Sequence, residues 1–147
     1  MRDAALFDLD GTLCDTSTIE HLTRGPERDY AAFHAASADC PPRADVLAGL
    51  EAARERGVAI VLWTGREFLW RDLTLDWLAA HRISHDGLYM RLAADYRPAT
   101  KVKAELLKDV ADDGLRVVEA WEDDQEIVAL LRTAGVADVH EVAAVGS

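Results

Sequence analysis

The sequence is short of sulfur, of proline and of positive charge. Its two cysteines, Cys14 and Cys40, are too few for a disulfide-stapled scaffold and lack CxxC spacing, so two free thiols in a reducing cell are expected. Four prolines and nine glycines are scattered along 147 residues. No Pro/Gly/Ser linker, repeat or low-complexity tract divides the chain, which predicts one domain over 1–147. No apolar run approaches the ~20 residues a membrane helix needs. No basic-then-apolar leader precedes the first strand, so a cytoplasmic protein without a membrane partner is expected. Sixteen basic residues stand against 27 acidic ones, a net charge of −11. That balance argues against a broad electrostatic grip on nucleic acid, which needs clustered Lys and Arg, and leaves room only for a local patch.

Half of the residues are hydrophobic, and they fall into alternating patterns. "ALFDL" (5–9) reads as a strand, followed by a polar, turn-rich insert from about residue 12 to 42 with a short helix candidate, "RDYAAFHAAS". "RADVLAGLEAARERG" is amphipathic, with Val46, Leu47, Leu50 and Ala53 on one face and Gly57 as its C-terminal cap. "VAIVLW" is continuously apolar, the mark of a strand buried on both faces of a parallel sheet. Helix "EFLWRDLTLDWLAAHR", strand "DGLYMR", helix "KVKAELLKDVADDG", strand "LRVVEAW", helix "DQEIVALLRTAGV" and strand "ADVHEVAAV" (137–145) follow. Five strands joined by crossover-length segments predict a doubly wound α/β fold with a five-stranded parallel sheet.

In such a sheet reactive groups gather beyond the carboxyl ends of the strands. Asp8 and Asp10 end the first strand, Thr64, Gly65 and Arg66 the second, and Glu122, Asp123 and Asp124 the fourth; Lys101 and Lys103 open the helix after the third. Carboxylates, a hydroxyl and a lysine at one edge suit phosphoryl transfer to a carboxylate nucleophile, with hard oxygen ligands for Mg²⁺ to relieve the repulsion between the acids. Residues two apart on a strand share a side. Asp8 and Asp10 are therefore expected to address one substrate together, one attacking phosphorus and the other moving protons. Gly11 would allow a sharp turn and free backbone N–H groups for phosphate oxygens.

"FDLDGTL", "VLWTGR", "TKVKAELL" and "VVEAWEDDQEIVALLRTAGV" resemble, in order, the four motifs of the haloacid dehalogenase (HAD) superfamily of phosphatases. The resemblance covers essentially the whole chain and implies a Rossmann-like HAD fold with a minimal cap insert. "TGRE", "WRDLTLDWL", "LYMR" and "LLRTAGV" are further similar to the 3′-phosphatase domains of the phage polynucleotide kinase family, which act on DNA or RNA ends. That likeness implies Asp8 as nucleophile, Asp10 as acid and base, and Thr64 and Lys103 as phosphoryl-oxygen binders. Arg66, with Gly11 and Gly65, would lie against the phosphate. Mg²⁺ would be held by Asp8, the Asp10 carbonyl and Asp123. Here Glu122-Asp123 stands where the family has Asp-Asp, with Asp124 at a usually basic position, so Glu122 and Asp124 stay open as metal ligands. "RPAT" replaces acidic residues before the lysine, and no GxxxxGK[ST] loop for the kinase half exists in this chain. A separate kinase or ligase partner is a further implication.

Blander patterns compete. Trp63, Trp70 and Trp77 recur every seven residues, which fits a base-stacking platform less well than core packing. His81 and His85 have HxxxH spacing but straddle an expected helix end, a poor metal site. Lys101 and Lys103 lie about 200° apart on a helix, so only one can face the site, and the apolar positions Val102, Leu106 and Val110 favour Lys103. From Arg82 to Lys103 five basic residues meet two acidic ones, a hint of contact with nucleic-acid ends. A phosphatase of small metabolites or mononucleotides, and a catalytically silent HAD-like binding module, are the alternatives.

Overall fold

The computed structural model describes residues 1–145. Five strands, β1 (Arg2–Asp8), β2 (Ala59–Glu67), β3 (Gly87–Arg91), β4 (Leu115–Glu122) and β5 (Asp138–Glu141), form one parallel sheet in the order β3-β2-β1-β4-β5. Helices α1 (Tyr30–Ala36) and α2 (Ala44–Glu55) fall between β1 and β2; α3 (Arg71–Ala80), α4 (Ala99–Asp112) and α5 (Gln125–Thr133) make the later crossovers.

Alternation along β1 builds two cores. Ala5 and Phe7 pack with Val46, Leu50 and Ala53 of α2 and Trp77 and Leu78 of α3. Ala4 and Leu6 face the other way, onto Val102, Leu106 and Val110 of α4 and Ile127 and Leu131 of α5. Both faces of β1 and β2 are therefore dry, which is why their sequences run apolar without a polar beat. Each fully buried large side chain of these layers contributes about 1.5–3 kcal/mol. Gly57 closes α2 with φ +80°, in the expected capping role.

The sheet differs from the sequence reading at two ends. β5 stops at Glu141 rather than running to 145, because β4, its one neighbour, turns away after Glu122 to start α5. β2 runs past Trp63 to Glu67 although those residues are polar. The tryptophans form no platform: Trp63 and Trp77 are buried in opposite cores, and half-buried Trp70 sits in a turn, 5.6 Å from the His34 ring. His81 packs on Trp77 at 4.9 Å, and neither His81 nor His85 belongs to a metal-capable cluster among the described residues. Among the described residues no helix is long and apolar enough to cross a membrane. Cys14 and Cys40 are free and buried.

Candidate active site

Strand order reverses between β1 and β4: chain growth runs from β1 out through β2 to β3, then crosses back to the other side of β1. The crevice at such a switch point is where open α/β sheets bind ligands. Asp8 ends β1 there, opposite Glu122 at the end of β4.

Asp8 and Lys103 are 5% and 4% exposed. The Lys103 ammonium donates to Asp8 Oδ1 at 2.8 Å and to Glu122 Oε1 at 2.5 Å, and lies 4.6 Å from the Trp63 ring centroid. Lys101 is exposed, so the choice between the two lysines falls on Lys103. Burial alone would raise the Asp8 carboxyl, but the Lys103 charge and hydrogen bonds from Asp123, Lys103 and Thr12 outweigh it and hold it below its ordinary value. Burial likewise opposes the Lys103 charge, and Asp8 and Glu122 overcome it and raise its pKa. Asp8 is thus an ionised, dry carboxylate, the state a nucleophile requires.

Glu122 is fully buried and has both oxygens in use. Oε1 accepts from Lys103, while Oε2 accepts the backbone N–H groups of Asp123 and Asp124 at 3.0 and 3.1 Å. Its role is to hold the lysine and the β4–α5 turn. Burial, then the nearby Asp8 charge, push its carboxyl up to about 7. Asp124 caps α5, accepting from the Glu126 N–H at 2.9 Å, and lies outside the acidic cluster. Asp123 is the acid that reaches the centre. Thr12 Oγ lies 2.9 Å from Asp8 Oδ2 and 3.2 Å from Asp123 Oδ1. One hydroxyl carries one proton, so its second contact needs a proton on Asp123. Burial and the Asp8 charge push the Asp123 carboxyl up to about 9, in keeping with that proton.

Asp10 takes another direction. β1 ends at Asp8 and Gly11 follows with φ +82°, so the strand's two-residue period does not extend to Asp10. Its carboxylate accepts two N–H groups from one edge of the Arg66 guanidinium, Nε at 3.0 Å and a terminal nitrogen at 2.6 Å. The other terminal nitrogen of Arg66 donates to Thr74 Oγ of α3 at 3.0 Å. Arg66 is 1% exposed, with burial opposing its charge and Asp10 more than restoring it. In this arrangement Arg66 positions Asp10. Thr64 Oγ accepts the Arg66 N–H at 3.1 Å, which leaves the hydroxyl proton for another acceptor.

Gly11 is required twice over: by its positive φ, and because a Cβ there would lie 2.3 Å from Asp123 Oδ2. Its N–H is not free for phosphate, since it donates to the Cys14 carbonyl at 2.9 Å. The stretch Arg82–Lys103 is not an open basic patch either. Lys103 is buried in the site, and Arg97 is paired with Asp95 and Glu105. Charge counting missed this pairing. It also missed Thr12 and Thr74, whose contacts arise only when the elements are side by side.

Asp8, Glu122 and Asp123 bring one carboxylate oxygen each within 4.8 Å of one another. Glu122 has both oxygens occupied, by Lys103 and by two backbone N–H groups, and Asp8 shares Lys103 with it and Thr12 with Asp123. Three acids meet one lysine, with a proton on Asp123 relieving the repulsion; an all-oxygen donor set of this kind fits a hard divalent cation, which would take that proton's place. The second cluster, Glu119, Asp138 and His140, is structural: Arg56 pairs with Glu119, and the Trp121 indole N–H donates to it at 3.0 Å.

The sequence model of the family described as "Polynucleotide kinase PNKP phosphatase domain" matches residues 2–144. Among solved structures, a chain of the Pnkp1/Rnl/Hen1 complex superposes with a TM-score of 0.82 at 26% identity, covering 100% of this chain and 47% of that one. A second structure, of the Pnkp1/Rnl/Hen1 RNA repair complex, gives 0.81 at 25% identity over 100% and 44%. This chain therefore spans less than half the length of those two. The class C acid phosphatase from Bacillus anthracis, at a TM-score of 0.67 and 14% identity over 99% and 68%, shares the fold. No curated protein matches in sequence. With the family pattern running almost end to end through Asp8, Lys103 and Asp123, the chain belongs to the PNKP phosphatase-domain family and is a HAD-type phosphatase.

Proposed function

We propose that this chain is a Mg²⁺-dependent phosphomonoesterase that removes 3′-phosphates from polynucleotide ends, with the phosphoryl group carried transiently on Asp8. The observation that carries the reading is the separation of the two aspartates: Asp8 is held by Lys103 and Thr12, Asp10 by Arg66. An Asp8 oxygen attacks phosphorus, the bond to the 3′ oxygen breaks, and Asp10, protonated on entry to this step, gives that oxygen its proton. Asp10 then takes a proton from water as the water attacks the aspartyl phosphate, which returns Asp8 and releases inorganic phosphate. Lys103 and the Thr64 hydroxyl hold phosphoryl oxygens, and Gly11 and Gly65 keep side chains out of their path. Asp8, Asp123 and the Asp10 carbonyl would hold Mg²⁺, which supplies positive charge against the phosphoryl oxygens.

Residues 12–42 form the small flap of a single domain over 1–147, leaving the site open to a bulky substrate. The family description and the likeness to a chain of an RNA repair complex favour a polynucleotide end over a small ester. By the same likeness, separate end-repair proteins are this chain's expected partners. The test is phosphate release with Mg²⁺ from a 3′-phosphorylated oligonucleotide, its 5′-phosphorylated counterpart, mononucleotides and an aryl phosphate, with Asp8→Asn as blank. Preference for the 3′ oligonucleotide is expected. Equal or faster turnover of the small esters would overturn the 3′-end assignment and keep the phosphatase.

A further inference from the structure

Beside the phosphoryl site lies a groove of about 520 Å³, in the range of small-ligand pockets. Tyr30, Phe33 and His34 of α1 form one side, Gly65 of β2 lies between, and Arg91 and Tyr96 belong to β3 and the loop after it. Gly65 sits between Thr64 and Arg66, so the groove opens directly onto the catalytic edge.

We infer that this groove seats the 3′-terminal nucleoside, its base stacked on Tyr96 and Tyr30 and the phosphate on its 5′ side against Arg91. The inference rests on the 3′-end reading above and deepens it by saying what grips the end. Tyr30 and Tyr96 are 55% and 84% exposed, large rings left in water beside a reactive centre. Aromatic faces take any base, which suits an enzyme acting on ends of arbitrary sequence.

Arg91 is the positive charge of the groove. Its Nε donates to the Gly65 carbonyl at 2.8 Å, and one terminal nitrogen to the carbonyls of Asp95 and Arg97 at 2.9 and 2.6 Å. Among the described residues it has no carboxylate partner, whereas Arg97 is neutralised by Asp95 and Glu105. Glu67, the groove's remaining carboxylate, accepts the Ala94 N–H at 2.7 Å. These bonds fix the loop that carries Tyr96, so the ring is presented by a preorganised support. On the facing helix, His34 belongs to the wall of the groove. A base that enters between α1 and the loop has left its complement, so single-stranded ends and 3′ overhangs are the substrates.

Steady-state kinetics on a 3′-phosphorylated single strand and on an aryl phosphate test this, with Tyr30→Ala, Tyr96→Ala, Tyr96→Phe and Leu92→Ala. For Tyr96→Ala the ratio of kcat/KM, oligonucleotide over aryl phosphate, is expected to fall tenfold or more through KM, and Tyr96→Phe to restore it. Leu92→Ala, 71% exposed and outside the groove, leaves the ratio unchanged. Wild type prefers a 3′ overhang to a blunt duplex end, and Tyr96→Ala loses that preference. An unchanged ratio in both alanine variants, or equal wild-type rates on overhang and blunt end, overturns the groove assignment while the 3′-end activity stands. A wild type with no preference for the oligonucleotide fails earlier and overturns both.

Discussion

Replacing Lys103 by methionine keeps the side chain's length and removes its charge. The ammonium lies between two buried carboxylates, 2.8 Å from Asp8 and 2.5 Å from Glu122. Taking one partner from a buried ion pair costs about 3–5 kcal/mol. At about 2–4 °C per kcal/mol for a chain of this size, the midpoint should fall by roughly 6–20 °C. The loss depends on pH in a fixed direction. The folded-state pKa of Glu122, about 7, lies above its ordinary 4.5. Its ionisation therefore removes stability as pH rises through that interval, even with Lys103 present. Without the ammonium the interval extends upward. The variant's deficit should be smallest near pH ~5, where Glu122 keeps its proton, and grow toward pH ~9. Losing one preorganised donor to the phosphoryl oxygens should also lower kcat by about 10²–10³-fold. Thermal unfolding of both proteins in chelator across that pH range, with phosphate release alongside, is the assay. A deficit that is flat with pH, or largest in acid, would refute the reasoning.

Asp123→Asn removes an acid that burial and Asp8 already push up to about 9, so in chelator its midpoint should match or exceed wild type. It should also lose the Mg²⁺-induced rise in midpoint and most activity; a lower midpoint in chelator would contradict this. A cation at Asp8 and Asp123 displaces that proton. Apparent Mg²⁺ affinity by calorimetry should thus rise with pH below about 9, by up to about tenfold per unit, and a pH-independent value would remove Asp123 from the metal site. Gly11→Ala faces a φ of +82° and a contact at 2.3 Å with Asp123, so a loss of at least about 1–2 kcal/mol is expected in urea unfolding. Arg66→Lys keeps the charge but loses the two-point grip on Asp10 and the Thr74 contact. It should lower kcat about tenfold or more on oligonucleotide and aryl phosphate alike, and an effect on KM alone would point to substrate contact instead of positioning.

Much of the fold is legible in the sequence because β1, β2 and β4 lie inside the sheet, where apolar runs between helical patterns have one physical meaning. The edges are less legible for the same reason. Val142 to Val145 read as strand because they are apolar, yet a strand needs a neighbour, and β4 stops at Glu122. Glu67 reads as the first residue of a helix because a helical pattern follows it, yet the chain stays extended from Thr64 to Glu67, with Arg66 buried between Asp10 and Thr74, and α3 begins only at Arg71. The site divides similarly. Asp8, Lys103 and Asp123 were accessible from motif and strand-end logic; Thr12 and Thr74 were not, since a hydroxyl's role depends on what the fold sets within 3 Å of it.

The two aspartates of "FDLDGTL" make the point most sharply. Period-two reasoning places them side by side, where their charges would compete for one cation. In the fold β1 ends between them. Asp8 follows Ala4 and Leu6 toward α4 and meets Lys103, while Asp10 turns with Gly11 toward α3 and meets Arg66. Each carboxylate is neutralised by its own cation, Asp8 by Lys103 of α4 and Asp10 by Arg66 of β2. In the proposed mechanism that division lets Asp8 serve as a dry nucleophile while Asp10, one-fifth exposed, exchanges protons with leaving group and water.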